Sequence, residues 1–413
     1  MSVTLLLPPV IILSGGYFIF KLRKHFLDPR PLLKCAFGGG EVRDGIRAFA
    51  LALSGTLGVG NIVGVLAAIS FGGAGSVFWM LISTVFSAVL KYAESSLSAD
   101  TGGGIGMITA IKRALGGRCA LLYAALAAIL ALTMGSALQS GAVRASALGM
   151  GAPLLPIAIP VLLLCVAVIL CGKGWIMKAT EALLPLAMVV YSVLCLSVII
   201  PHAHLIPLTV ANILRSALTP NATGGGIGGF IISHGISGGF CCGMLSNEAG
   251  AGTSAFSHTA LDTHSPVRCG IFGYLEVVFD TVILCTLTAL AALLGGIPEG
   301  ECTLIRFSSL LSDHITGGGI MLLGCAVIFS VCASLCWSYY GTVCMRYLFG
   351  KVGGGIFVPC FIAAFAAGLM FELEFLIPLC DTVLTLMTLI TVATLIKSSE
   401  RIVSLSEPLA TLK

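Results

Sequence analysis

The chain has 413 residues, of which 57% are hydrophobic and only 10% are charged, and its mean hydropathy is +1.06. A soluble domain carries about 25% charged residues, so this composition excludes an ordinary soluble protein and indicates one that crosses the membrane many times. The net charge of +4 is small. No basic face with interleaved aromatic residues accompanies it, so we expect no nucleic-acid partner.

The apolar runs are about 18 to 30 residues long, which is helix length, whereas barrel strands have ~10 residues of alternating polarity. The sequence therefore predicts an all-α integral membrane protein. A short amphipathic helix is also predicted within 299–316, at the membrane interface. Eleven spans are predicted, near 4–20, 46–69, 74–98, 119–148, 153–171, 176–200, 222–256, 268–295, 318–348, 354–370 and 375–396.

Lysine and arginine residues predict the orientation, because cytoplasmic loops collect them. The first loop, 21–47, carries seven of them and is placed inside. Alternation of the spans then puts all of the 22 lysines and arginines except Arg144, Arg215 and Arg306 on the cytoplasmic side. We expect a multi-pass protein of the plasma (cytoplasmic) membrane, with its N-terminus outside and its C-terminus in the cytoplasm.

Two of the predicted spans contain clusters of glycine with polar residues. The first is GTLGVGN at 55–61, and the second is TGGGIGGFIISHGISGGFCCGMLSNEAGAG at 223–252. Such clusters favour discontinuous helices, although glycines that only let helices pack closely remain an alternative. Broken helices at corresponding places in two halves of a chain indicate a transporter site near the middle of the membrane.

The spans divide into two halves once the first is set aside as an extra N-terminal helix, 1–22. Five spans lie in 44–201 and five in 222–397, and each half begins with a glycine-rich span. Because five is odd, the halves have opposite orientations, which predicts an inverted repeat within a single transmembrane transporter domain, 1–413.

An unwound segment near Leu57 to Gly60 would serve two kinds of ligand. The carbonyl end of the first half-helix is partially negative and favours a cation, and the amide end of the second favours a carboxylate. Thr56 and Asn61 add side-chain oxygens. This arrangement suits a small zwitterion together with a sodium ion.

Several motifs point to one family. They are SGTLGVGNIVGVLAAISFGGAGSVFWM followed by KYAE (91–94), TMGSALQSGAV (133–143), LSNEAGAGTSAFSHTAL, LEVVFDTVILCTLTAL and FSVCASLCWSYYG (329–341). In these motifs the chain resembles the alanine or glycine:cation symporter family of sodium:alanine symporter-like amino acid carrier proteins. SNEAG beside EVxxDTxxxCTxTAL is the most specific part of the resemblance.

The resemblance implies an eleven-helix transporter with a LeuT-type 5+5 inverted repeat, two discontinuous helices and the extra N-terminal helix. It also implies sodium-coupled import of a small neutral amino acid by alternating access. Alanine and glycine are the first candidates, and D-alanine and serine follow. Sodium would be the coupling ion, the lipid bilayer the environment, and no organic cofactor is expected.

The resemblance also assigns site residues, with Trp337 closing the pocket. Where many relatives have Ser-Thr shortly before that tryptophan, this chain has Cys332 and Ala333, so the ion would be held more weakly or by substitutes such as Ser330 or Ser334. Gly141 stands in place of an asparagine. The implied substrate-binding residues are Thr56, Val59, Gly60, Asn61, Gln139, Ser237, Gly238, Phe240 and Trp337, and the implied sodium-binding residues are Ser54, Leu57, Thr56, Asn61, Ala333 and Ser334.

Acidic residues at membrane depth are functional hypotheses by default. Glu276 and Asp280 are four residues apart and share a helix face, where they either relay protons or bridge neighbouring helices. Glu248, in SNEAG, is expected to order the inner gate region and not to contact the substrate.

Three other functions compete with sodium-coupled transport. Proton coupling is the main alternative, because two hydroxyls near the expected ion site are missing. A channel is disfavoured, since internal pseudo-symmetry within one chain fits alternating access better. An intramembrane serine protease is a remote alternative, suggested by GISG (235–238) after His234, but no oxyanion site accompanies it. We therefore expect no enzymatic activity.

Overall fold

A computed structural model of the chain describes residues 6–26, 42–102, 104–217, 246–258 and 265–411. Within these ranges every regular element is a helix. Apart from single turns of 3₁₀-helix, the elements are α1 (Leu7–Phe26), α2 (Val42–Thr56), α3 (Gly60–Gly72), α4 (Gly75–Ala99), α5 (Gly106–Leu115), α6 (Gly117–Leu132), a π segment (Thr133–Leu138), α7 (Gln139–Gly149), α8 (Leu154–Cys171), α9 (Lys173–Ile199), α10 (Ile206–Ala217), α11 (Ser254–His258), α12 (Pro266–Val277), a second π segment (Val278–Cys285), α13 (Thr286–Leu294), α14 (Leu304–His314), α15 (Gly318–Met370), α16 (Ile377–Lys397) and α17 (Ser399–Thr411).

Membrane-spanning helices make up most of this structure. In the described part of the chain, seven helices are long and apolar enough to cross a bilayer. The pair α2 and α3 supplies an eighth span that is bent by 43° at its break. The seven are Gly75–Ala99, Gly117–Gly149, Leu154–Cys171, Lys173–Ile199, Pro266–Leu294, Gly318–Met370 and Ile377–Lys397.

These spans agree in position with the sequence predictions, but the count of eleven is not reached. The first helix, α1, is not among the seven, and most of the predicted span 222–256 lies outside the described residues. The long helix α15 covers two predicted spans, 318–348 and 354–370. Its backbone leaves helical geometry at Phe349 and Gly350, between those two predictions.

Three helices were not expected from the sequence. They are α5, α10 and α17, which are amphipathic or polar and contain no long apolar run. The predicted amphipathic helix within 299–316 is present as α14, and it buries Phe307 and Leu311.

α4 is one of the two most enclosed spans, and it packs along α12. Small residues on α12 allow this approach: a Cβ atom added to Gly273 would lie 2.8 Å from the carbonyl oxygen of Lys91, and one on Gly270 would collide with Ser96. Close packing at these glycines brings the charged residues of α4 opposite those of α12.

Ion pairs connect segments that were predicted to lie on the same side of the membrane. Alternation of the spans puts 21–47, 99–118 and the C-terminal segment on one side, and the loops after 148 and after 370 on the other. The pairs that join them are Lys21–Glu400, Asp100–Arg401 and Arg144–Glu372.

Candidate transport site

The break predicted at GTLGVGN is present. α2 ends at Thr56 and α3 begins at Gly60. Between them the main-chain N–H of Gly58 donates to Oδ1 of Asn61 at 3.1 Å. A side chain thus accepts a bond from a main-chain donor at the interruption, so the non-helical turn is stabilised locally.

Gln139 lies against this break. It follows the π segment Thr133–Leu138, within the motif TMGSALQSG. A Cβ atom added to Gly58 would lie 2.6 Å from Nε2 of Gln139, so only glycine allows the amide to approach the main chain this closely. Single π segments inside α-helices occur frequently at functional sites. Gln139 was predicted from the sequence, whereas the π segment before it was not.

A cavity of about 800 Å³ adjoins the break. Its volume lies within the usual range for small-molecule sites, about 300–1,000 Å³. It extends from exposed side chains, among them Phe71, Ile305 and Phe371, to buried ones, among them Ser246 and Glu248. Five of the predicted substrate residues line it together, namely Thr56, Val59, Gly60, Asn61 and Gln139.

Trp337 does not line this cavity. Its indole N–H donates to the carbonyl oxygen of Gly55 at 3.2 Å, and its side chain is 1% exposed. A Cβ atom added to Gly135, in the π segment, would lie 2.3 Å from the tryptophan. The structure therefore places Trp337 behind the break, wedged between the end of α2 and the π segment. Ser237, Gly238 and Phe240 lie outside the described residues.

Most of the predicted sodium residues belong to α2 and α15, two helices that pack against each other. The thiol of Cys336 donates to the carbonyl of Leu51 at 3.4 Å, which fixes the two helices side by side. Ser54 is fully buried, and its hydroxyl bonds to its own helix at Ala50. The other predicted positions, Leu57, Ala333 and Ser334, are buried as well.

Two hydroxyl groups on α15 have unused bonding capacity. Those of Ser330 and Ser334 are fully buried and have no hydrogen-bond partner within the part of the chain that the structure describes. A buried hydroxyl without a partner is costly, because desolvation is not compensated. These two oxygens are therefore open to a ligand such as a cation.

Asp280 joins the break to the SNEAG motif. It lies in the π segment Val278–Cys285 and accepts hydrogen bonds from the side chains of Asn61 and Ser246. The hydroxyl of Thr281 donates to it as well, at 3.0 Å. Asp280 was predicted to share a helix face with Glu276, but its contact with the break was not anticipated.

Lys91 and Glu94, from the motif KYAE, hold the SNEAG motif and the residues just after it against α4. The ammonium of Lys91 donates to the carbonyl of Asn247 at 2.7 Å and lies 3.4 Å from Glu276. The carboxylate of Glu94 accepts from the main-chain N–H of Gly250 at 3.0 Å and from that of Gly252. All three charged groups are fully buried.

Glu248 is placed differently from the expectation that it would order an inner gate. Its side chain lines the cavity, next to Ser246. It has a φ of 50°, the one positive φ of a non-glycine residue in the described ranges. Such strain often accompanies functional sites. Its place at the cavity could not be predicted, because a sequence does not show which side of a loop faces a cavity.

A bundle of membrane-spanning helices, an interrupted span and a cavity lined by that interruption are the features of a membrane transporter. The sodium:alanine symporter family matches residues 4–407 of the chain. The chain therefore belongs to the sodium:alanine symporter family, as the motifs predicted.

Individual relatives show the same relationship. An uncharacterized transporter of Haemophilus influenzae is 32% identical over 92% of this chain and 88% of that protein. The sodium/alanine symporter AgcS of Methanococcus maripaludis is 29% identical over 86% of this chain and 83% of that protein. A putative sodium/proton-dependent alanine carrier protein, YrbD, of Bacillus subtilis is 32% identical over 70% of this chain and 62% of that protein.

Proposed function

We propose that the protein imports small neutral amino acids, alanine first among them, in symport with sodium ions. The observation that carries this proposal is the cavity, because the broken helix and Gln139 line it together. The substrate carboxylate would bind at the main-chain amides that begin α3, and Gln139 would hydrogen-bond the substrate. The names of relatives, among them a sodium/alanine symporter, support alanine as the substrate.

The proposed architecture has eleven spans in a LeuT-type inverted repeat. One repeat would occupy 44–201 and the other 222–397, with 1–22 as an extra helix and a second discontinuous helix in the span that contains Ser237, Gly238 and Phe240. We place the protein in the cell membrane with its N-terminus outside. In that orientation the cavity, whose exposed lining includes Phe71 and Phe371, would open to the exterior.

For the sodium ion we propose a site between the end of α2 and α15. Main-chain carbonyls at Ser54 and Leu57, with the side-chain oxygens of Thr56 and Asn61, would supply part of the shell. Ala333 has no side-chain oxygen, so the unpartnered hydroxyl of Ser334 would complete the site. Hard cations prefer such oxygen ligands.

Uptake of labelled alanine into proteoliposomes tests the proposal. A sodium gradient should drive accumulation, and replacement of sodium by choline should abolish it. Undiminished uptake in choline would favour the proton-coupled alternative, and no uptake in either salt would reject an alanine carrier. Ser334→Ala should raise the sodium concentration needed for half-maximal uptake, whereas Ser312→Ala, on the exposed face of α14, should not.

A further inference from the structure

Five charged groups are buried together beside the cavity. Lys91 is the only lysine or arginine that is buried among the described side chains, and it faces four buried carboxyl groups. Each of the five is at most 3% exposed; they are Lys91, Glu94, Glu248, Glu276 and Asp280. One ammonium cannot neutralise four carboxylates, and uncompensated buried charge is strongly unfavourable. Some of these carboxyl groups therefore bind a proton or another cation.

The four carboxyl groups differ in how well their charged forms are satisfied. Glu94 accepts two main-chain N–H groups, and Asp280 accepts three side-chain donors. Both are therefore well suited to remain ionised. Glu276 accepts from Ser254 and lies beside Lys91, but its Oε2 is fully buried without a partner. No donor among the described residues therefore stabilises a negative charge on that oxygen, which favours the protonated form of the carboxyl group.

Glu248 is the least satisfied of the four and the only one that lines the cavity. The hydroxyl of Thr253 donates to its Oε2 at 2.7 Å, and no other donor to it is present in the described part of the chain. It also borders a void of about 10 Å³ between α1 and α16, roughly the smallest space that holds one water molecule. Glu248 is thus positioned to exchange a proton with water in the cavity.

Groups from four neighbouring segments lie within electrostatic range of Glu248. The groups in range are Lys91 of α4, Tyr123 of α6, Glu276 and Asp280 of the helix after residue 266, and Cys336 and Tyr340 of α15. Lys91 is the only cation among these groups. The remaining five either oppose the ionised form of Glu248 or are neutral.

We propose that Glu248 is the residue through which the carrier takes up a proton from the cavity, so that each transport cycle carries a proton in addition to sodium. The proton comes from hydronium in the cavity and converts the Glu248 carboxylate to a carboxylic acid. It leaves to water on the other side when the cavity opens there. The buried charge cluster becomes less negative by one charge while the proton is bound. This inference rests on the proposed amino acid transport.

The test uses the whole protein in proteoliposomes that contain a pH-sensitive dye. Alanine is added with a fixed inward sodium gradient, with the membrane potential clamped, and labelled uptake and internal pH are followed together. The wild-type protein should acidify the interior as alanine enters, and a more acidic exterior should speed uptake severalfold. Glu248→Gln is isosteric with the protonated carboxylic acid, and it should lose both the internal acidification and the response to external pH.

Glu94→Gln is the matched control, because Glu94 is equally buried in the same cluster but does not line the cavity. Its uptake, whatever its rate, should keep the wild-type response to external pH, and Glu248→Asp should keep a response with a shifted midpoint. Sodium-driven alanine uptake by the wild type without internal acidification would overturn the inference, even if no variant folds. Absence of sodium-driven uptake would instead reject the proposed function.

Discussion

The indole N–H of Trp337 donates to the main-chain carbonyl of Gly55 at 3.2 Å, one residue before α2 ends. The last carbonyls of a helix have no partner within that helix. The tryptophan thus stabilises the exact place where the span is interrupted, although it does not line the cavity. Trp337 would therefore influence substrate binding only indirectly, by fixing the position of the break.

Replacing Trp337 by phenylalanine should therefore destabilise the protein. The change keeps an aromatic ring but leaves the buried carbonyl of Gly55 without a donor, at a cost of about 1–3 kcal/mol. Thermal unfolding in detergent should show a lower midpoint. The matched control is Trp175→Phe, because Trp175 is 56% exposed on α9. Equal stability of the two variants would contradict the role assigned to this bond.

Gly58→Ala tests the contact between the break and Gln139. The added methyl group would lie 2.6 Å from Nε2 of Gln139, so the amide would be displaced from the cavity wall. We expect the apparent affinity for alanine to fall roughly tenfold, which corresponds to about 1.4 kcal/mol. Gly324→Ala is a suitable control, since nothing lies within 4 Å of a Cβ atom there. Unchanged uptake kinetics in Gly58→Ala would remove Gln139 from the proposed site.

Lys91→Met should be strongly destabilising. It removes the ammonium that lies 3.4 Å from Glu276 and leaves the carboxyl groups buried without a cation. Breaking a buried ion pair from one side costs about 3–5 kcal/mol. Combining it with Glu276→Gln should restore part of that loss, because the coupled pair is then removed as a whole. The coupling free energy between Lys91 and Glu276 is obtained from thermal unfolding of the wild type, both single variants and the double variant. Strictly additive effects would argue against an interaction between the two side chains.

Labelling of an introduced cysteine tests whether water reaches the cavity. Ala145 is exposed and lines the cavity. Ala147, two residues later and on the opposite side of α7, is fully buried. With the exposed Cys171 and Cys360 and the cavity-lining Cys380 changed to serine, Ala145→Cys should react with a membrane-impermeant thiol reagent, and Ala147→Cys should not. Added alanine should slow the reaction. Equal labelling of both positions would contradict the described cavity.

The sequence predicted the positions of the eight described spans and the first break, because both depend on local composition, although the count of eleven is not reached. The length of an apolar run can be read directly from the sequence and compared with the bilayer thickness. The glycines and polar residues of GTLGVGN interrupt such a run. The helix α17 was missed because its sequence, which includes Glu400 and Arg401, has no apolar run.

The site was predicted less completely, for two physical reasons. A π segment has the same hydrophobicity as the α-helix around it, so Thr133–Leu138 left no trace in the pattern. Contacts such as those of Lys91 with Glu276 and of Asn61 with Asp280 join residues far apart in the chain, and their partners follow from packing. Glu248 was recognised through its motif, but its exposure to the cavity depends on the turn that its positive φ creates.

The distribution of the buried charges also has a consequence for biogenesis. Lys91 and Glu94 are three residues apart on α4, so that helix can enter the bilayer with its charges balanced. The helix that carries Glu276 and Asp280 has two acidic residues and no base between them. Each charge near a span's centre costs about 2.5–3.5 kcal/mol on insertion. Because α4 is synthesised first, its lysine is already available to receive the later helix as it leaves the translocon.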